Sequence, residues 1–373
     1  MSELQTAAQS VTPIELMTRL QLFITTILTR PARALLAILC ITIITHLPSG
    51  FGSFVADDYM QWAMLKGSPA LQAQGFSKAD VNKPFTDRLL DGFHFFSDKA
   101  GTLQSYRDYG NIPWWSGENI SMVPFRPVAA LTHWIDYTVF GDTLWLHQLH
   151  SLLYFMLLAM ALYALYRHMA EMSQKGARES AINTTINSSL YTNQAMLMVA
   201  ALATIMAIVD FSLTRSFLWV VARNSYLACT LGVNSLLCFI RWREQRGLHW
   251  LVASLALFAI ALLTAEAALA VAGYMGAYVL CIERKPLVKK ALIIAPVIAV
   301  ILLWRIGYSE GGFGALNIAQ YIDPGRSPAQ FAHNFLWVFP QIMFNQIVGL
   351  DTLIVFFHPE QQWKFIALAW IVT

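Results

Sequence analysis

Residues 248–282 form one apolar run, broken only at Thr264-Ala265-Glu266. A helix needs about 20 apolar residues to cross a bilayer, so a run of about twice that length has to fold back as a tight hairpin. The hairpin puts Glu266 on one side of a membrane and both ends of the run on the other. Composition agrees: the chain is 57% hydrophobic and 13% charged, against roughly 25% charged in soluble domains. The expected fold class is an all-α polytopic membrane protein. A net charge of +3 is too small to point to nucleic acid.

Residues 1–31 read as a cytoplasmic amphipathic N-terminus, with a helix over 13–29 carrying Arg19 and Arg30 on its polar side. Pro31 can open the next helix, because its missing N–H falls where a helix has no partner for one. The first span is then 32–48. No small-residue cleavage site follows it, so it reads as an anchor and not as a removed signal peptide. A loop over 49–142 precedes a six-helix bundle over 143–305, with spans near 143–166, 194–210, 216–240, 248–264, 266–282 and 289–305. A polar loop, 306–330, leads to further membrane segments over 331–373. The first of these, 331–357, is interrupted by Pro340, Asn345 and Asp351. The last run is still apolar at Thr373, as if cut inside a span. The expectation is seven to nine transmembrane helices.

Basic residues orient the bundle. Arg30 and Arg33 precede the first span; Arg167, Lys175 and Arg178 follow the second; Arg241, Arg243 and Arg246 follow the fourth; Arg284, Lys285, Lys289 and Lys290 follow the sixth. Every second connection is basic, which places the N-terminus and these loops in the cytoplasm. The expected location is a bacterial inner membrane. Two glycosylation-like triplets, at Asn183 and Asn187, then fall in a cytoplasmic loop and carry no such meaning. The loop 49–142, the Asp210–Arg215 turn, the Glu266 hairpin and the 306–330 stretch share the opposite side. Cys40, Cys229, Cys238 and Cys281 all lie inside apolar runs, which excludes a disulfide framework and zinc spacing.

The loop of about 90 residues is too long to be a mere connection and too rich in aromatic residues to be disordered. Trp62, Trp114, Trp115, Tyr106 and Tyr109 suit short helices at headgroup level. Near its start stand two adjacent carboxylates, Asp57 and Asp58, where the first span gives way to polar sequence. Charge at a bilayer edge is costly unless it has a task. The plain alternative is a helix cap at the positive end of a helix beginning there.

Four patches run in order along the chain: Ala56-Asp57-Asp58-Tyr59; Phe125-Arg126-Pro127-Val128, with Phe140-Gly141 and Leu146-His147-Gln148-Leu149-His150 after it; Val221-Ala222-Arg223-Asn224-Ser225-Tyr226; and Leu262-Leu263-Thr264-Ala265-Glu266. Together they resemble the glycosyltransferase-C superfamily, in its O-mannosyltransferase-like branch, which includes transmembrane proteins with appended tetratricopeptide repeats. The resemblance covers roughly residues 32–305, the seven-span module of that family. It implies transfer of a sugar from a polyprenyl-phosphate carrier to an extracytoplasmic acceptor, with inversion at the anomeric carbon. It also implies an acidic residue of the first loop as catalytic base or, in some branches, as a holder of a divalent metal. The chain departs from the family where relatives have His, Asn and His down one face and this sequence has His147, His150 and Tyr154. Ser225 stands where relatives have an acid, Ala265 where they have a lysine, and no tetratricopeptide repeats follow.

On this reading Asp57 or Asp58 takes the acceptor proton; adjacent carboxylates repel, which raises one pKa toward neutrality. Arg126 and Arg223 are candidates for the phosphate, since guanidinium binds it as a bidentate fork. Arg223 is the sharper of the two because it lies inside an apolar span, where the alternatives are snorkelling or pairing with Asp210 or Glu266. Glu266 is expected to pair with Arg223 or to touch the sugar. His147 and His150, three apart, share a helix face and would line the cavity or bind phosphate; their spacing permits a metal but supplies no third ligand. Tyr59, Trp114 and Trp115 are candidates for stacking on a sugar or for interfacial anchoring. The expected partners are a polyprenyl-phosphate-linked sugar, a protein, lipid or glycan acceptor, and the bilayer. Rival readings are a transporter or lipid flippase, against which stand sparse intramembrane charge and no inverted repeat, and an inactive or truncated relative.

Overall fold

The computed structural model describes residues 13–55, 57–74, 76, 81–97, 102–181, 193–318, 322–325, 327–348 and 362–372. The triplets at Asn183 and Asn187, the far part of 331–357, and Thr373 lie outside the described residues. Within them the chain is almost wholly helical, in keeping with the expected class. The helices are α1 (Pro13–Leu28), α2 (Pro31–His46), α3 (Asp57–Lys66), α4 (Phe85–Leu90), α5 (Thr102–Asp108), α6 (Pro127–Val139), α7 (Leu144–Ala181), α8 (Asn193–Val209), α9 (Phe211–Leu218), α10 (Arg223–Gln245), α11 (Leu248–Leu262), α12 (Leu269–Cys281), α13 (Leu287–Glu310), α14 (Pro328–Val348) and α15 (Gln362–Val372). Pro31 and Pro127 stand at the first turns of α2 and α6, where no amide donor is missed.

Among the described residues three segments are long and apolar enough to cross a membrane: Pro31–Phe51, Leu144–Lys175 and Leu287–Glu310. These mark the chain as a membrane protein. Gln194–Val209, Leu248–Leu262 and Glu266–Cys281 are equally apolar but shorter. The hairpin expected at Thr264-Ala265-Glu266 is present: α11 ends at Leu262, a turn of 3-10 helix covers Glu266–Ala268, and α12 returns. The expected span 216–240 is not one helix. It breaks after Leu218, passes through a 3-10 turn at Val220–Ala222, and restarts at Arg223. The cause is tertiary: the Val221 N–H donates to the Asp58 carboxylate, at 2.7 Å, and is lost to any continuous helix.

The chain divides into two units. The first contains the described residues of Met1–Gln72, Ser77–Phe93 and Phe125–Glu310, and the second those of Ala73–Phe76, His94–Pro124 and Gly311–Thr373. The segment 49–142 is therefore not one loop, but is shared between both units. In the second unit Ser121–Val123 (β1) pairs antiparallel with Gly314–Leu316 (β2), Met122 opposite Ala315. Among the described residues this ladder is joined by a bridge between Phe96 and Met122, and the sequence offers no alternating pattern for it. In the same unit Phe344 and Phe365 pack α14 against α15, with ring centroids 5.1 Å apart.

The first unit has two main apolar cores. One gathers Ile38 of α2, Phe155 of α7, Ala201 of α8, Phe217 of α9 and Tyr226 of α10. The other joins Phe239 of α10, Phe258 of α11, Met275 of α12 and Val297 of α13. Outward positions such as Ile44, Leu302 and Leu303 are exposed apolar residues, as a surface facing lipid requires. Between α10 and α11, the hydroxyls of Ser235 and Ser254 each donate to the other residue's carbonyl, at 2.7 and 2.9 Å. Gly232 lets α10 approach α12, since a Cβ there would lie 2.5 Å from Cγ2 of Val271. Gly232→Leu should therefore lower stability by about 1–3 kcal/mol through overpacking. The check is a lowered thermal midpoint in detergent that Val271→Ala partly restores.

Candidate functional site

A buried ion pair lies at the centre of the first unit. Asp136 of α6 and Arg223, the first residue of α10, are both fully buried, with Arg223 Nη2 2.6 Å from Asp136 Oδ2. The guanidinium also donates to Ser151 Oγ of α7, from Nε at 3.1 Å and from Nη2 at 2.8 Å, and to the carbonyl of His147 at 3.0 Å. Its Cζ lies 5.7 Å from the Tyr154 ring centroid. The other oxygen of Asp136 accepts from Nδ1 of His150, and Nδ1 of His147 lies 3.6 Å from Oδ2. His147 Nε2 is fixed by the Gly141 carbonyl at 2.8 Å. One carboxylate on α6 thus collects an arginine from α10 and two histidines from α7.

The structure gives Arg223 partners other than those expected. Its guanidinium is buried and its donors are taken up by internal partners, a structural placement that the sequence reading did not anticipate. Its ion partner is Asp136 and neither Asp210 nor Glu266. Asp136 was not among the residues singled out in the sequence, although it is the only formally charged residue of α6. A lone carboxylate on an apolar helix has to find a cation or a donor, and that was the available signal. His133, one turn earlier and wholly buried, was also missed; burial, with the Arg223 charge adding to it, holds this imidazole neutral.

The aspartate pair is not equivalent. Asp58 is 1% exposed. Its Oδ2 accepts from the Val55 amide at 2.9 Å, reaching back over the first turn of α3, and its Oδ1 accepts from the Val221 amide at 2.7 Å. Burial outweighs these two donors and pushes its carboxyl up to about 6. Asp57 is half-buried, has no hydrogen-bond partner among the described residues, and has its carboxyl raised by burial. Asp58 is accordingly engaged by two backbone amides, while Asp57 has no partner among the described residues. Tyr59 is exposed, with its ring 5.9 Å from that of Phe54.

Arg126 stands at the N-cap position of α6, just ahead of Pro127, without a side-chain capping bond. Its Nε donates to Glu266 Oε2 at 2.9 Å, and the other Glu266 oxygen accepts from the Tyr308 hydroxyl at 3.1 Å. With the Asn224 amide oriented to satisfy its neighbours, its oxygen accepts from Arg126 Nη1 at 3.1 Å. The Val128 amide donates to the Leu263 carbonyl at 3.1 Å and ties this loop to the hairpin. Arg126 and Glu266 keep 16% and 24% of their side-chain surface exposed, so both remain reachable. At the same end of the unit an apolar groove of about 360 Å³ opens between the end of α2 and the start of α7. It is lined by Leu47, Gly50, Phe51, Trp145, Leu149 and Leu152, with His46 and Gln148 at its wall.

The structure therefore brings Asp57, Asp58, Arg126, Arg223, Glu266, His147 and His150 into one unit, through the links Asp58 to Val221, Arg126 to Glu266 and Asn224, and Arg223 to Asp136. Trp114 and Trp115 are exposed and belong to the second unit. Among the described residues no group of three His, Cys, Asp or Glu side chains is placed to hold a metal ion. Where His147 and His150 converge on Asp136, the Arg223 cation already occupies the carboxylate. Comparison with protein-family models, curated proteins and solved structures finds no match.

Two expectations follow. A carboxyl raised in the folded state stabilises it below the unfolded pKa of 3.8, and that contribution is lost as pH rises through about 6. Asp58 should thus make the detergent-solubilised protein roughly 1 kcal/mol more stable at pH 5 than at pH 7.5. The thermal midpoint of Asp58→Asn, lower overall because its amide group opposes a backbone N–H, should lack that share of the pH dependence. Asp136→Ala leaves Arg223 charged and unpaired, and should cost about 3–5 kcal/mol, measured as loss of the folded monomer in size-exclusion chromatography.

Proposed function

We propose that this chain is a membrane glycosyltransferase of the glycosyltransferase-C type, moving a sugar from a polyprenyl-phosphate carrier to an extracytoplasmic acceptor. The observation that carries the reading is convergence. Four patches far apart in sequence are joined by hydrogen bonds and ion pairs at one end of the first unit, and leave one half-buried carboxylate, Asp57, beside them without a partner. In this reading α8, α10, α11 and α12 cross the bilayer alongside α2, α7 and α13, making seven spans, with the N-terminus cytoplasmic.

The chemistry assigns one task to each reachable group. The Asp57 carboxylate accepts the proton of the acceptor hydroxyl, a role suited to a carboxyl whose pKa burial has raised. The acceptor oxygen bonds to the anomeric carbon as the bond from that carbon to the phosphate oxygen breaks, and the configuration inverts. The electron pair leaves with the polyprenyl phosphate, whose charge Arg126 meets with the guanidinium edge that Glu266 does not use. Glu266, held by Arg126 and Tyr308, sets the orientation of that arginine. The groove lined by Phe51, Trp145 and Leu149 suits the apolar tail of the carrier. His150 and Tyr59 present partly exposed polar groups for the sugar. Asp58, Arg223 and His147 are supporting residues.

The test supplies purified full-length protein with radiolabelled polyprenyl-phosphate sugars and a membrane extract as acceptor source, and follows carrier-phosphate release and label transfer. Asp57→Asn should lower turnover by about 10²-fold or more, and Arg126→Gln should weaken both carrier binding and turnover. Wild-type rates in Asp57→Asn would overturn the assignment of the base. Gradient-driven uptake into proteoliposomes, without label transfer, would favour a transporter instead.

A further inference from the structure

The end of the first unit opposite the candidate site carries a charge imbalance for which that chemistry has no use. The turn after α10 and the segment that joins α12 to α13 both reach this end. With the C-terminal end of α10 and the first turn of α13 they contribute Arg241, Arg243, Arg246, Arg284, Lys285, Lys289 and Lys290 against two acids, Glu244 and Glu283. Both acids are already engaged: Glu283 accepts from Arg243 Nε at 2.6 Å, and Glu244 lies 2.9 Å from Nε2 of His168 on α7. The Arg243–Glu283 pair also ties the two turns to one another, so their cations form one surface. Arg241 sits over Trp250, 5.0 Å from the ring centroid, and Lys290 donates to the Leu280 carbonyl at 2.6 Å. Arg246, Arg284 and Lys289 are exposed and Lys285 half-buried, and none of the four meets an acid among the described residues.

The neighbours of these cations are apolar and equally uncovered. Leu248 is 69% exposed, Leu287 75% and Val288 73%. Leu287 is the first residue of α13, one of the three helices long enough to cross a membrane, so the cations stand within a turn or so of the hydrocarbon edge. A free phosphate would satisfy the cations and leave the leucines in water. A lipid satisfies both, with its headgroup phosphate on the guanidinium and ammonium groups and its chains along Leu287 and Val288. Juxtamembrane clusters of four or more Lys and Arg attract anionic lipid in this way.

We propose that this surface binds the headgroup of an anionic phospholipid, with Arg246, Arg284, Lys285 and Lys289 as its phosphate ligands. The site is independent of any glycosyl transfer. It neutralises a cationic rim that would otherwise repel itself, and it clamps the α10–α11 and α12–α13 turns together.

The experiment uses the full chain in detergent with spin-labelled phosphatidylglycerol or phosphatidylcholine, and compares their association by electron paramagnetic resonance. Phosphatidylglycerol should be preferred by about tenfold at low salt, and the preference should shrink as added salt screens the cations. The combined variant Arg246→Gln, Arg284→Gln, Lys285→Gln and Lys289→Gln should bring the ratio to near one. Lys285→Arg with Lys289→Arg should retain it. If the combined variant does not fold, Arg284→Gln and Lys289→Gln made singly, both at exposed positions, should each lower the ratio. Equal binding of the two lipids by wild type, or a preference that survives the glutamine variants, would overturn the proposal.

Discussion

The structure of the first unit depends on one buried ion pair, Arg223 with Asp136. A guanidinium in an apolar interior is tolerable only when its charge is matched and its donors are occupied. Here the match comes from α6 and the donors are occupied from α7, while the arginine itself opens α10. Three helices, α6, α7 and α10, are thereby fixed at a single point. The same carboxylate fixes His150 through its Nδ1, which leaves the Nε2 side of the ring toward the partly open face.

Asp58 plays a parallel part at the next step out. It takes the Val221 amide out of the helical ladder and so determines where α10 begins, which in turn delivers Arg223 to Asp136. The acid pair that looked like one feature in the sequence has two functions by virtue of depth. The deeper member is a fastener between α3 and the turn before α10, and the shallower one is a carboxylate with no described partner. One of two consecutive residues is thus engaged and buried and the other is without a described partner.

The two ends of the unit are electrostatically unlike. At one end charges are paired across elements, Arg126 with Glu266 and Arg223 with Asp136, while Asp57 has no partner among the described residues. At the other end the acids are consumed and cations are left over. An anionic lipid surface suits the second end and a chemistry of proton removal and phosphate departure suits the first. Both assignments rest on which charges remain after internal pairing. A count of charges along the chain would not distinguish them.

How much was legible follows from what each residue's role depends on. The helical class, the hairpin at Glu266 and the apolar helices were determined by the sequence itself, because hydrophobic runs and their interruption are local properties that any fold in a bilayer has to respect. The convergence of the four patches was foreshadowed by their order and common side. The partners were not. Sequence assigned Arg223 to phosphate because a cation in an apolar segment looks unpaired until the neighbouring helix is known. It passed over Asp136 because α6 gave no sign of facing that cation. It left Asp57 and Asp58 equivalent because adjacent residues differ only in where the helix points them. Only the tertiary structure decided these matters, since the cost of a buried charge is settled by what stands within about 3 Å of it, and for Arg223 that neighbour comes from 87 residues earlier in the chain.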